Sequence, residues 1–156
     1  MALVAVILSV NFVACSDDDD EDVNTTDLAS YVKGEWRVVD AERWQQDKGT
    51  NDYKHYSYSE LLEYNGEPFD NDYYDGTKTR YNIKEDGAID RDNYCFYKIV
   101  GNNQIYTDDR DSFDTNDLIQ WKVTIVNENK MILDSDYIED DPGQLFREVW
   151  TYERVK

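Results

Sequence analysis

Few side chains in this sequence are arranged for catalysis. The chain has a single histidine, His55, and two cysteines, Cys15 and Cys95. It contains no Ser-based nucleophile elbow, no glycine-rich phosphate loop and no Cys/His spacing typical of a metal site. Paired carboxylates could serve a glycosidase, but they are uninformative in a chain with 35 Asp and Glu residues. The sequence therefore predicts a protein that is not an enzyme and has no cofactor.

Cys95 is the remaining candidate for reactive chemistry. It lies in an apolar run, Tyr94 to Val100, in which a free cysteine behaves as a small buried hydrophobic residue. Only His55 could act as its base, and nothing in the sequence places the two side chains together. We therefore expect Cys95 to be structural.

Acidic loops could offer the oxygen ligands that calcium prefers. The stretch from Asp70 to Gly76 carries Asp70, Asp72 and Asp75 as candidate ligands. The spacing departs from that of a calcium loop, because the fifth position is Tyr74 and no glutamate follows at the twelfth. The alternative is a set of solvated surface carboxylates.

The segment from Trp44 to Thr77 is unusually long for a connection between strands and is dense in aromatic and acidic residues. Tyrosine combines an apolar face with a hydroxyl, which suits a sugar, an amphipathic metabolite or a protein surface. Alternatively, Ser59 to Tyr64 forms a short amphipathic helix whose Leu61, Leu62 and Tyr64 fill the interior of the domain. The candidate ligand-binding residues are Tyr53, Tyr56, Tyr58, Tyr64, Tyr73 and Tyr74, with Trp121 from a later segment.

The elements that would position these side chains are mainly strands. Apolar and polar residues alternate along Ile119 to Ile125, and Thr79, Tyr81 and Ile83 form a similar row. Polar turns at 85–87, 101–103 and 127–129 separate the strands and indicate hairpins. The predicted strands are 35–43, 78–84, 88–91, 94–100, 104–107, 118–126, 130–136 and 145–155. Consecutive hairpins on this scale favour an all-β, antiparallel, eight-stranded up-and-down β-barrel.

A short N-terminal helix precedes the first strand. Asp27 can cap it, and Gly34 supplies the flexible residue that ends it.

The N-terminal segment predicts export. Met1 to Ala14 carry no charge and are almost wholly apolar, as in a cleaved signal peptide, and they are too few to span a bilayer. Six acidic residues then occupy 17–22 and form a self-repelling spacer. We therefore divide the chain into a signal peptide (1–14), an acidic tether (15–26) and one barrel domain (27–156).

The net charge limits the possible partners. The formal charge of −19 repels phosphate backbones and anionic lipid headgroups. We therefore expect no nucleic-acid partner.

Two motifs resemble known families. Phe12-Val13-Ala14-Cys15 resembles the lipobox of bacterial lipoproteins, and the acidic run after it resembles the export signal of Bacteroidota surface lipoproteins. This resemblance implies that Cys15 is lipidated and attaches the protein to the outer membrane, with the domain exposed at the cell surface. An ordinary cleaved signal with an incidental cysteine is the alternative.

The domain itself resembles a lipocalin. Gly34-Glu35-Trp36 is similar to the lipocalin Gly-x-Trp signature and follows a short helix, and Arg154 matches the arginine that packs over that tryptophan. Trp36 could otherwise be an ordinary core aromatic residue. The resemblance implies a lipocalin-like barrel with the Tyr-rich segment over its open mouth.

Two functions follow from that resemblance. The first is binding of a small apolar or amphipathic ligand inside the barrel, which predicts an internal cavity. The second is a non-enzymatic surface protein that binds a glycan or a protein through its aromatic and acidic loops, which predicts exposed tyrosine clusters.

Overall fold

Nine strands and two short helices make up the part of the chain that the structure describes. The structure is a computed structural model, and it describes residues 27–46, 50, 52–139 and 144–156. The predicted signal peptide, Cys15 and the acidic tether lie outside these residues. The helices are α1 (Leu28–Val32) and α2 (Tyr58–Asn65). The strands are β1 (Gly34–Gln46), β2 (Tyr53–Tyr56), β3 (Asp72–Tyr74), β4 (Thr79–Ile83), β5 (Ile89–Val100), β6 (Gln104–Asp108), β7 (Ile119–Asn127), β8 (Lys130–Glu139) and β9 (Gln144–Arg154).

The strands form a closed antiparallel barrel. Each strand from β3 to β8 pairs with the next along the chain, and β1 pairs with both β3 and β9. Eight strands therefore close the barrel, and β2 is an additional strand on β1. This architecture confirms the predicted all-β, eight-stranded, lipocalin-like barrel with a short N-terminal helix.

Strand β1 changes partner along its length. Gly34 to Trp36 pair with β3, whereas Arg43 to Gln46 pair with β2. On its other side β1 pairs with β9 from Trp36 to Gln45. Between Trp36 and Arg43, β1 therefore has no strand partner on one side among the described residues. The segment that connects β2 to β3, the two strands on either side of this gap, contains α2 and the loop after it.

The end of the barrel next to α1 is closed by Trp36 and Arg154. Trp36 is fully buried, and its Nε1 donates to the Val32 carbonyl at 2.7 Å. The Arg154 guanidinium lies 4.3 Å from the centre of the Trp36 ring and donates to the carbonyls of Lys33, at 2.7 Å, and Tyr31. Gly34 has φ of +117°, and a Cβ there would lie 3.1 Å from Arg154 Nη1. A glycine is therefore needed at this position both for the backbone and for the arginine.

Apolar side chains pack into one core above this closed end. Its buried members come from α1 and from seven of the strands. They are Leu28, Val32, Trp36, Val38, Tyr74, Tyr97, Ile105, Trp121, Val123, Met131, Leu133 and Tyr152. The predicted interior row Trp121 and Val123 of β7 lies in this core, so the hydrophobic pattern of that strand was a correct guide to its buried face.

On β4 the predicted row agrees with the structure in part. Thr79 and Ile83 are buried, whereas the Tyr81 ring packs 5.9 Å from that of the half-exposed Tyr94. Arg80 and Asn82 line a cavity of the barrel. The pattern of β4 alone does not reveal this charged lining, because Arg80 is balanced by a carboxylate on β3.

Candidate ligand-binding cavity

The barrel contains a cavity of about 430 Å³. Its lining includes Glu148, Trp150 and Tyr152 of β9, which precede Arg154 on that strand. The cavity therefore extends away from the closed end of the barrel. The remaining walls come from four other strands and from the loop between α2 and β3. They are Val38, Asp72, Arg80, Asn82, Ile119 and Trp121 from the strands, and Asn65, Glu67, Pro68, Phe69 and Asp70 from the end of α2 and the loop.

Aromatic rings form one wall of the cavity. The Trp121 Nε1 donates to Thr107 Oγ1 at 2.9 Å, which fixes the orientation of the indole. Trp150 Nε1 donates to Glu148 Oε2 at 3.1 Å. Phe69, from the loop, meets the Trp150 ring edge to face at 4.9 Å and 84°. Both indole N–H groups are therefore satisfied by the protein, and the rings offer apolar surface to the cavity.

The loop that covers this wall is held by α2. Ser57 and Glu60 form a capping box at the start of α2, and Gly66 ends the helix with φ of +80°. The Tyr58 ring lies 6.1 Å from Phe69, and its hydroxyl donates to the Val38 carbonyl at 3.5 Å. Tyr58 therefore anchors Phe69 to the stretch of β1 that lacks a strand partner.

Charged groups form the polar part of the cavity. Arg80 Nη1 lies 3.5 Å from Asp72 Oδ2, and Asp72 is buried. Burial alone would lower the pKa of Arg80, but the attraction of Asp72 outweighs it and raises that pKa above the usual value. Burial also raises the pKa of Tyr152 well above its usual value, and the nearby Asp72 adds to this effect. Arg80 is therefore cationic, and Tyr152 keeps its proton.

Glu148 is the second buried carboxylate of the lining. The Arg43 guanidinium lies 2.5 Å from Glu148 Oε1, through both Nε and Nη2. Each buried carboxylate therefore has its own arginine, which is the arrangement that makes interior charge tolerable.

Two further carboxylates lie at the rim. Glu67 and Asp70 flank Phe69 in the loop, and both residues are exposed. Asp70 Oδ2 accepts from Asn82 Nδ2 at 3.5 Å, which is a neutral donor. Within the described part of the chain, neither carboxylate lies in an ion pair.

The tyrosines predicted to bind a ligand are dispersed in the structure. Tyr53 and Tyr64 are 49% and 86% exposed, and Tyr56 and Tyr73 are partly buried on β2 and β3. Tyr74 is fully buried in the core, and Tyr58 packs beside the cavity through Phe69. Among the seven predicted residues, Trp121 lines the cavity.

The predicted metal candidates have other partners. Asp72 pairs with Arg80, and Asp75 accepts from the backbone N–H groups of Thr77, Lys78 and Thr79 in a tight turn. These bonds lower the pKa of Asp75 against the opposing effect of burial. Over residues 27–46 and the later described ranges, no three His, Cys, Asp or Glu side chains are grouped as a metal site would require.

Cys95 faces the charged interior beside Arg80, its cross-strand partner. Burial raises the pKa of its thiol, although Arg80 opposes that effect, so the sulfur is protonated at neutral pH. Cys95 has no disulfide partner in the described chain.

Sequence reasoning missed several residues of the cavity wall. Glu148 and Trp150 alternate with exposed or partly exposed neighbours on β9, and this alternation would have placed them on one face had the register been known. Arg80 follows the buried Thr79, so the pattern of β4 gives no such signal. Phe69 lies in the aromatic segment from Trp44 to Thr77, but nothing local distinguishes it from the tyrosines around it.

Comparisons with known proteins return no family model and no curated protein that matches the chain. A solved structure of a redesigned beta barrel matches over 82% of this chain and 95% of its own, with 10% sequence identity and a TM-score of 0.33. Neither helix of the described residues has the length and apolar character to cross a membrane.

Proposed function

We propose that this protein is a lipid-anchored component of the cell envelope whose barrel binds a small amphipathic ligand. The observation that carries the proposal is the open-mouthed cavity of about 430 Å³ between aromatic rings and a pair of compensated charges. Binding sites for small molecules are typically concave, largely apolar and provided with a few polar groups, with volumes of about 300–1,000 Å³. The cavity has such a volume, and its lining combines seven apolar or aromatic residues with seven charged or amide ones.

An amphipathic ligand suits this lining better than a wholly apolar one. Trp121, Trp150 and Phe69 can cover hydrocarbon, whereas Asp72, Arg80 and Asn82 present polar atoms on another side. An apolar ligand would desolvate these polar atoms without replacing their hydrogen bonds with water, which costs free energy. A ligand with one polar end avoids that cost.

Surface binding of a glycan or a protein through the tyrosines is less well supported. That function needs several tyrosines exposed together. Tyr74 and Tyr58 instead pack into or against the core, while Tyr53 and Tyr64 lie on separate elements, β2 and α2. The half-exposed Tyr94 packs against Tyr81 and Phe96, which are not among the predicted binding residues.

The proposed ligand can be tested by native mass spectrometry of the full-length protein purified from its own host. We expect a small molecule to remain bound and to be released on denaturation. Asn82→Trp adds bulk on the cavity face of β4, whereas Tyr81→Trp changes the neighbouring outward residue and serves as the control. The bound mass should disappear in N82W and persist in Y81W, and loss or retention in both variants alike contradicts the proposal.

Lipid attachment is tested separately at Cys15. Cells that express the wild-type chain and are fed a labelled fatty acid should incorporate the label into the protein, and Cys15→Ser should abolish both the label and membrane retention. Cys95→Ser is the matched control, because it removes the other thiol of the chain. Labelling that survives Cys15→Ser would contradict lipidation at this residue.

A further inference from the structure

We propose that the ligand of the cavity carries a cationic group, so that the site selects an amphipathic amine over a neutral or anionic molecule. The inference rests on the proposed function and specifies its ligand class. It follows from the charges of the cavity wall, considered one pair at a time.

The buried charges of the cavity cancel one another. Arg80 faces Asp72 at 3.5 Å, and Glu148 faces Arg43 at 2.5 Å. An anionic ligand bound to Arg80 would have to lie beside the carboxylate of Asp72, and it would compete with that carboxylate for the same guanidinium. The interior therefore contributes no net charge in favour of an anion.

The rim adds negative charge that nothing compensates. Glu67 and Asp70 lie at the mouth, and neither is ion-paired within the described ranges. The chain as a whole carries a formal charge of −19, which adds to the negative potential at the mouth. A cation entering the cavity is attracted by both contributions, and an anion is repelled by both.

The aromatic wall also favours a cation. Phe69 lies between the two rim carboxylates in sequence and packs against Trp150. The faces of aromatic rings attract ammonium groups, and tryptophan does so most strongly. An ammonium group next to these rings can therefore contact carboxylates and ring faces together, while its hydrocarbon part packs on Trp121 and Trp150.

Three probes with the same eight-carbon chain test the charge preference: octylamine, 1-octanol and octanoate. Quenching of tryptophan fluorescence at pH 7 reports binding, because Trp121 and Trp150 line the cavity. We expect octylamine, which is protonated at this pH, to bind about tenfold more tightly than 1-octanol, and octanoate to bind more weakly still. High salt should narrow the difference, since the rim is exposed.

A pair of double variants assigns the preference to the rim. Glu67→Gln with Asp70→Asn removes the two rim charges, and Glu63→Gln with Glu85→Gln removes two exposed charges outside the cavity lining. The ratio of amine to alcohol affinity should fall to about threefold in the rim variant and stay near tenfold in the control.

The possible results separate the inference from the proposed function. Equal effects of the two double variants, or binding of octanoate as tight as that of octylamine, overturn the cation preference while leaving ligand binding in place. If none of the three probes binds, the preference is also overturned, and the native mass spectrum then decides whether ligand binding fails with it.

Discussion

Arg154 connects three parts of the closed end of the barrel. Its guanidinium covers the Trp36 ring and donates to two carbonyls, that of Tyr31 in α1 and that of Lys33 directly after α1. A planar guanidinium can stack on an indole and donate to two carbonyls at once, whereas an ammonium group is a point charge. The residue is therefore suited to hold α1 against the barrel.

Replacing Arg154 by lysine should destabilise the fold. Because the stacking and at least one carbonyl hydrogen bond are lost, we expect Arg154→Lys to lower the free energy of unfolding by about 2 kcal/mol. Arg37→Lys is the control, since Arg37 is exposed and lies 3.8 Å from Glu153 in a surface ion pair, and it should cost under about 0.5 kcal/mol. Urea unfolding followed by fluorescence measures both, and equal losses would contradict this role of Arg154.

Asp108 holds the loop after β6. It is almost fully buried and accepts from Thr115 Oγ1 at 2.6 Å and from the backbone N–H of Arg110 at 3.0 Å. Burial opposes its charge, but the hydrogen bonds from Thr115 and Arg110 outweigh that effect and lower the pKa of Asp108 to about 2. The ionised form is therefore the one that the fold stabilises.

The stabilisation by Asp108 should disappear in acid. Its pKa is lower in the folded chain than the usual 3.8, so the unfolded chain binds the proton first as the pH falls. The contribution is complete above about pH 4 and is lost towards about pH 2. Asp108→Asn should be less stable than wild type at pH 6, and this difference should shrink across that window. Chemical unfolding at several pH values measures it, and a difference that does not change with pH is the contrary result.

At the level of the elements, the turn between α1 and β1 depends on Gly34. Its φ of +117° is unfavourable for other residues, and a Cβ would meet Arg154. Gly87, in the turn between β4 and β5, also has a positive φ but has open space around it.

The two glycines allow a matched comparison. Gly87→Ala carries only the backbone cost, about 1 kcal/mol, whereas Gly34→Ala adds the crowding of Arg154 and should cost about 2–3 kcal/mol. Thermal or urea unfolding of both variants tests this difference. Equal losses would show that the contact with Arg154 is unimportant.

The sequence predicted most of the strands because their hydrophobic alternation and turns are local signals. Three predicted strands agree with β6, β7 and β9 within one or two residues, namely 104–107, 118–126 and 145–155. The structure joins two of the predicted strands, 88–91 and 94–100, into one strand, β5, which contains a bulge. Tyr81 pairs with Tyr94 and Asn82 pairs with Asp90, which leaves three extra residues in β5.

The short strands of the aromatic segment were not predicted. β2 and β3 have four and three residues, too few for an alternating pattern to emerge. The cavity was inferred from the resemblance to lipocalins, but its charged residues were not. Asp72 and Arg80 become partners through the pairing of β3 with β4, and pairing between strands cannot be read from either strand alone.

At the level of the whole molecule, the dominant property is the net charge of −19. Charges of one sign repel one another across a compact domain and lower its stability. Salt shortens the distance over which this repulsion acts, from about 30 Å at about 0.01 M to about 3 Å at about 1 M.

Added salt should therefore stabilise the protein. We expect the free energy of unfolding to rise by about 1 kcal/mol between these two concentrations of NaCl, as measured by urea unfolding. Glu63→Lys with Glu85→Lys reduces the negative charge at two exposed positions. The free energy of unfolding of this variant should therefore rise less with added salt. A response of the same size in this variant would point to another effect of the salt.

The pairing of β1 with β9 has a consequence for how the chain acquires its structure. The first and last strands of the barrel are adjacent from Trp36–Arg154 to Gln45–Phe146, so these contacts join residues about as far apart in sequence as the domain allows. A chain emerging from the ribosome can pair β1 with β2 and β3, but the contact between β1 and β9 that closes the barrel cannot form until β9 has followed. Closure is therefore a post-translational event with a high contact order, and folding on a timescale of about milliseconds to seconds is expected for this topology.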